Sequence, residues 1–84
     1  MTYSVSILRR AQAQLARIDR QDQDRVIDAV RALGENPRPQ GCRKMSGRPA
    51  WRIRVGSYRV IYEIHDDRLL VLVITVGHRK DAYR

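Results

Sequence analysis

Three arginines, Arg52, Arg54 and Arg59, flank a Gly56-Ser57 pair in a stretch that alternates apolar and polar residues. A guanidinium stays charged at physiological pH and presents a planar fork of donors that fits a phosphate. Gly followed by Ser between two alternating runs suits a two-residue type II′ hairpin. In that register Val55 pairs with Tyr58, Arg54 with Arg59, and Arg52 with Ile61. Side chains directly across a pair share a face, so all three arginines project from one side of the sheet. Two opposed arginines repel, and stability alone would not select them. A ligand carrying several negative charges would offset the repulsion, and a phosphate backbone is such a ligand.

The surrounding charge supports the same chemistry. Between Glu35 and Glu63 there is no acidic residue, while Arg38, Arg43, Lys44, Arg48, Arg52, Arg54 and Arg59 fall in that interval. Six of these seven are arginine, in a chain of net charge +8. Acids and bases mix in the first 35 residues, which reads as an ordinary solvated surface. The acid-free middle reads as a patch for a polyanion. The tail, Val76-Gly77-His78-Arg79-Lys80-Asp81-Ala82-Tyr83-Arg84, adds a fourth guanidinium at Arg79. It also adds an imidazole at His78, a side-chain type used for acid–base chemistry, and a phenol at Tyr83 that can donate a proton or stack on a base. One cysteine, Cys42, and two histidines, His65 and His78, are too few for a zinc centre. No Gly-rich phosphate loop or GxSxG motif is present, and no cofactor is expected.

These residues need a scaffold. Tyr3-Ser4-Val5-Ser6-Ile7 alternates as a short strand. Leu8, Ala11, Leu15 and Ile18 recur on one face of a first helix. Asp19 or Asp22 can cap a second helix with Val26, Ile27, Val30 and Leu33 as its buried stripe, and Gly34 and Pro37 end it. Asn36 to Pro49, with three prolines and two glycines, reads as a loop. From Ala50 the period changes to two. Trp51, Ile53, Val55, Tyr58, Val60 and Tyr62 form the face that covers the helices. Asp66-Asp67 marks a turn, Leu69 to Val76 reads as a central strand covered on both faces, and Gly77 lets the chain leave the sheet. The expected class is α+β: a small antiparallel sheet with two N-terminal helices on one face, in the order β-α-α-β-β-β.

Size and composition bound the rest. With 84 residues the chain is expected to form one domain, residues 1–84. Such a domain buries only about 60–65% of its unfolded surface. A single cysteine needs no oxidising compartment, so the cytoplasm is the expected location. The start shows no secretory pattern, and no apolar run approaches the ~20 residues of a membrane helix.

The segment Trp51-Arg52-Ile53-Arg54-Val55-Gly56-Ser57-Tyr58-Arg59-Val60-Ile61-Tyr62-Glu63-Ile64, with Val76-Gly77-His78-Arg79-Lys80-Asp81-Ala82-Tyr83, resembles the RelE toxins of bacterial type II toxin–antitoxin modules. Asn36-Pro37-Arg38-Pro39 and Lys44-Met45-Ser46-Gly47 extend the resemblance over nearly the whole chain. It implies a ribosome-dependent endoribonuclease that cuts mRNA in the A site of the 70S ribosome. The 2′-OH of the RNA attacks the adjacent phosphate, without a metal. It also implies a RelB-like antitoxin, through which alone the complex would contact operator DNA.

By resemblance, Arg59 and Arg79 would stabilise the transition state, Tyr83 would stack on or orient the cleaved nucleotide, and His78 is the acid–base candidate. Arg52 and Arg54 stand where many family members carry lysines. With Lys44 and Arg48 they would hold the RNA. Arginine does not readily release a proton, so Arg52 and Arg54 would supply charge and not acid–base catalysis. A ParE-like toxin that poisons DNA gyrase shares the fold and is the alternative. A decayed toxin that binds RNA without cutting it is a third reading.

Overall fold

Helical periodicity gives way to two-residue periodicity near residue 50, and the architecture follows that division. The computed structural model describes residues 2–78. Strand β1 (Ser4–Ile7) leads into helix α1 (Arg9–Ala16) and helix α2 (Arg20–Glu35). Then come β2 (Arg43–Lys44), β3 (Trp51–Val55), β4 (Tyr58–His65), a 3-10 turn (Asp66–Arg68) and β5 (Leu70–His78). The α+β class and the β-α-α-β-β-β order hold, with one short strand added inside the expected Asn36–Pro49 loop.

The sheet order is β1-β5-β4-β3-β2. It is not wholly antiparallel: β1 lies parallel to β5, with Val5 beside Val71 and Ile7 beside Val73. A parallel neighbour needs a long crossover, and α1 and α2 lie within the chain between β1 and β5. Beyond Val73 the outer edge of β5 is unpaired by β1. There Gln14 of α1 accepts the Val76 N–H at 2.7 Å and the Thr75 hydroxyl at 3.0 Å.

Both helices cover one face. Ala11 and Leu15 from α1 and Val26, Val30 and Leu33 from α2 pack against Ile53, Val60, Tyr62, Val71, Val73 and Val76. The strand alternation therefore directs the expected apolar side towards the helices, with Trp51, Val55 and Tyr58 at its margin. β5 is not covered on both faces: Leu70, Leu72 and Ile74 are only half-buried. Gly77 does not release the chain either, since β5 runs through it to His78.

Asp19 stands at the start of α2, but its carboxylate makes no capping bond. Its backbone carbonyl instead accepts the Gln23 N–H at 2.8 Å. Gly34 lies within α2 and does not terminate it. A Cβ there would sit 3.0 Å from the Tyr3 carbonyl oxygen and 3.3 Å from Val5 Cγ2. The glycine thus allows helix and strand to touch, and the Gly34 carbonyl accepts the Tyr3 N–H at 2.7 Å. No helix among the described residues is long and apolar enough to cross a membrane.

Candidate nucleic-acid interface

The β3–β4 hairpin has the register its turn residues dictate. Val55 pairs with Tyr58, Arg54 with Arg59, and Arg52 with Ile61. Gly56 has φ +60°, and Ser57 is not in the positive-φ region, which is the backbone pattern of a type II′ turn. The three arginines therefore share the face turned away from the helices.

Their surroundings differ. Arg54 is exposed and Arg52 half-buried, whereas Arg59 is only 4% exposed. Ile61 and Ala50 are also buried, and neither belongs to the helix-side core. Gly77, without a side chain, lies directly across from Arg59 on β5. A guanidinium on a residue buried to this extent places positive charge in partly dehydrated surroundings, where electrostatic contacts are stronger than in water.

β2 brings a further arginine to the face. Arg43 pairs with Arg52, so its side chain joins the same side. The composition already hinted at Arg43 as part of the acid-free run, but a two-residue strand inside a loop leaves no periodic signal. Lys44 pairs with Trp51, and its Cβ leaves from the opposite side of the edge strand. It nevertheless lines an edge cavity of ≈ 250 Å³ with Arg43, Met45, Ser46 and Arg52. Arg48 is exposed in the β2–β3 connection.

His78 is not on this face. It pairs with Tyr58 and meets that ring edge-on, with centroids 5.6 Å apart. Tyr58 points to the helix side, so His78 does too. The cause is a bulge: Ile61 pairs with Thr75 but Tyr62 pairs with Val73, leaving Ile74 as the extra residue. An extra residue inverts the alternation beyond it. Arg79 and Tyr83 lie outside the described residues. A different ionisable pair does share the arginine side of β4, towards its far end. Glu63 Oε1 and His65 Nε2 are 2.9 Å apart.

Arg38 leaves the basic patch for a structural role. Its guanidinium forks onto Asp66, with Nη2 to Oδ2 at 2.9 Å and Nη1 to Oδ1 at 3.3 Å. It also lies over the Trp51 ring, 5.2 Å from the centroid. The Tyr3 hydroxyl donates to the same carboxylate at 2.5 Å. Together these contacts tie the segment after α2 to the β4–β5 turn and to the residue that precedes β1. The bond from Arg38, followed by that from Tyr3, holds the Asp66 carboxyl at about 2.

A folded-state value below the ordinary one means stability that is complete above pH ~4 and lost as pH falls towards 2. The carboxylate is exposed, so salt should weaken the effect. Asp66→Asn is expected to flatten the fall in melting temperature between pH 4 and pH 2. Thermal melts of both proteins across that range would check it, and parallel curves would exclude this role for Asp66.

The model of the ParE toxin family of type II toxin–antitoxin systems (parDE) matches residues 5–83. The chain belongs to this family. It is a toxin of the RelE/ParE superfamily. The toxin resembles the RelE–RelB complex of Pyrococcus horikoshii, with 24% identity, TM-score 0.85, and coverage of 96% of this chain and 99% of that one. For the Escherichia coli RelBE complex the values are 25%, 0.79, 90% and 95%. For the RelBE2 complex of Mycobacterium tuberculosis they are 23%, 0.80, 94% and 100%. No curated protein matches the sequence.

Proposed function

We propose that the toxin arrests growth by cutting mRNA on the ribosome, in the cytoplasm. The observation that carries this reading is the shared arginine face, where Arg54 and the buried Arg59 stand directly across from each other. In the reaction the 2′-oxygen of one nucleotide attacks the adjacent phosphorus. The bond to the 5′-oxygen breaks, leaving a 2′,3′-cyclic phosphate and a 5′-hydroxyl. The phosphate gains negative charge on the way, and preorganised donors aimed at it lower the barrier. Arg59, with Arg79, is assigned that task. Arg54, directly across from Arg59, grips the same phosphate, and Arg52 and Arg48 hold the backbone beside it.

One proton leaves the 2′-hydroxyl and one reaches the 5′-oxygen. His78 faces the helices in the described fold and is assigned neither transfer. Tyr83 is the tail group left for one of them, and the ribosome supplies the other. A RelB-like antitoxin that covers the basic face would silence the toxin, and operator DNA would be reached only through it. The complexes formed by the similar RelE structures support such a partner.

Gyrase poisoning is the second reading. The family match to ParE toxins and the turning of His78 away from the arginines favour it. Primer extension on mRNA after induction separates the two. Breaks within codons support cleavage. Intact mRNA together with a DNA-damage response would replace it with the gyrase reading.

A further inference from the structure

Beside the Arg54–Arg59 pair lies a second pair of opposed guanidiniums, Arg43 on β2 and Arg52 on β3. Each pair is repulsive on its own. Arg43 and Arg52 line the ≈ 250 Å³ edge cavity together with Lys44 and Ser46. None of the ion pairs among the described residues involves Arg43, Lys44 or Arg52. No acid occurs between Glu35 and Glu63 to supply one from nearby in the chain. Charged residues on an edge strand also discourage strand addition. That purpose asks nothing of Arg52, which lies one strand further in.

We propose that Arg43, Arg52, Lys44 and Ser46 form a second phosphate subsite at the sheet edge. It holds the phosphate next to the one gripped by Arg54 and Arg59. The inference rests on the RNA reading above. Arg52 and Arg54 are two residues apart on β3, so the two pairs are offset by about 6.7 Å along the strand and about 4.8 Å across it, roughly 8 Å in all. Arginine side chains are long enough to converge from that separation onto consecutive phosphates of an extended single strand. Arg43 and Arg52 can fork onto non-bridging oxygens, Lys44 adds a point charge, and Ser46 adds a neutral donor. The subsite would fix the register of the RNA across the arginine face and so decide which linkage meets Arg59.

The test uses the full-length toxin and a short single-stranded 2′-O-methyl RNA, which lacks the attacking hydroxyl. One phosphate at a time is replaced by a neutral methylphosphonate. Wild type should lose affinity at two successive linkages. Arg43→Gln should bind the unmodified RNA several-fold more weakly. Its slope of log K against log salt should be shallower by about 0.7 for the lost contact. It should also become insensitive to neutralisation at one of the two linkages, with unchanged melting temperature, and Arg43→Lys should recover part of the affinity.

An Arg43→Gln toxin with wild-type affinity and salt slope would overturn the subsite. If Arg59→Ala still weakened binding, the RNA reading would stand without it. Failure of wild type to bind the RNA at all would overturn the subsite, and primer extension after induction would still decide the cleavage reading. Loss confined to antitoxin binding would make the cavity a protein contact and would also overturn the proposal.

Discussion

Arg59→Ala is expected to lower mRNA cleavage by about 10²–10³-fold, the usual loss when one oriented donor is taken from a developing oxyanion. Arg59 is singled out because it is 4% exposed and lies directly across from Arg54, whereas Arg54 is exposed and Arg52 half-buried. Burial also means that truncation leaves a space, so the variant must be shown to melt as a folded protein. Arg59→Lys keeps the charge but loses the planar fork, and should fall between alanine and wild type. His78→Ala is the contrasting variant. Its ring meets Tyr58 on the helix side, so cleavage should stay within a few-fold of wild type. Primer extension and growth arrest after induction read both outcomes. A folded Arg59→Ala toxin with full activity would sink the assignment. A His78→Ala toxin as impaired as Arg59→Ala would show that the histidine acts from the helix side.

Tyr62→Phe should lower the free energy of unfolding by about 1–3 kcal/mol, the cost of leaving a buried polar group without its partner. The Tyr62 hydroxyl donates to the Pro37 carbonyl at 2.7 Å, and both residues are buried. Burial pushes the phenol pKa up, so it remains a donor across the working pH range. The bond fastens the segment after α2 to the middle strand of the sheet. For a domain of this size each kcal/mol is worth roughly 4–8 °C in melting temperature. Cleavage measured well below the melting point should be unaffected, because Tyr62 faces the helix-side core and not the arginines. An unchanged melting temperature would show that the Pro37 carbonyl finds another donor.

Tyr62 also shows how a residue's role escapes the sequence. It sits in the alternating run as one more apolar position. The partner of its hydroxyl is 25 residues away in a loop with no regular pattern. Arg38 is a similar case. Its place in the acid-free run suggested a polyanion contact, yet its fork is taken by Asp66, 28 residues further on. A count of charges along the chain cannot see a pairing made by folding. Gly34 looked like a helix terminator because glycine commonly ends helices. The crowding by the Tyr3 carbonyl and Val5 that requires it exists only once α2 lies on β1.

By itself the sequence determined the arginine face. Arg52, Arg54 and Arg59 belong to one hairpin, and its Gly56-Ser57 turn and two-residue period allow a single register. Such local constraints survive any arrangement of the remaining chain. Only the tertiary structure decided what joins that face. Arg43 reaches it through a two-residue strand whose formation depends on β3 being there to pair with it. His78 is excluded from it by the extra residue at Ile74. The run from Leu69 to Val76 is apolar at nearly every position, so its side chains do not declare a side. Without the bulge His78 would stand among the arginines, and with it the ring turns to Tyr58. That choice rests on how β5 pairs with β4, and long-range pairing is what an unaligned sequence does not record.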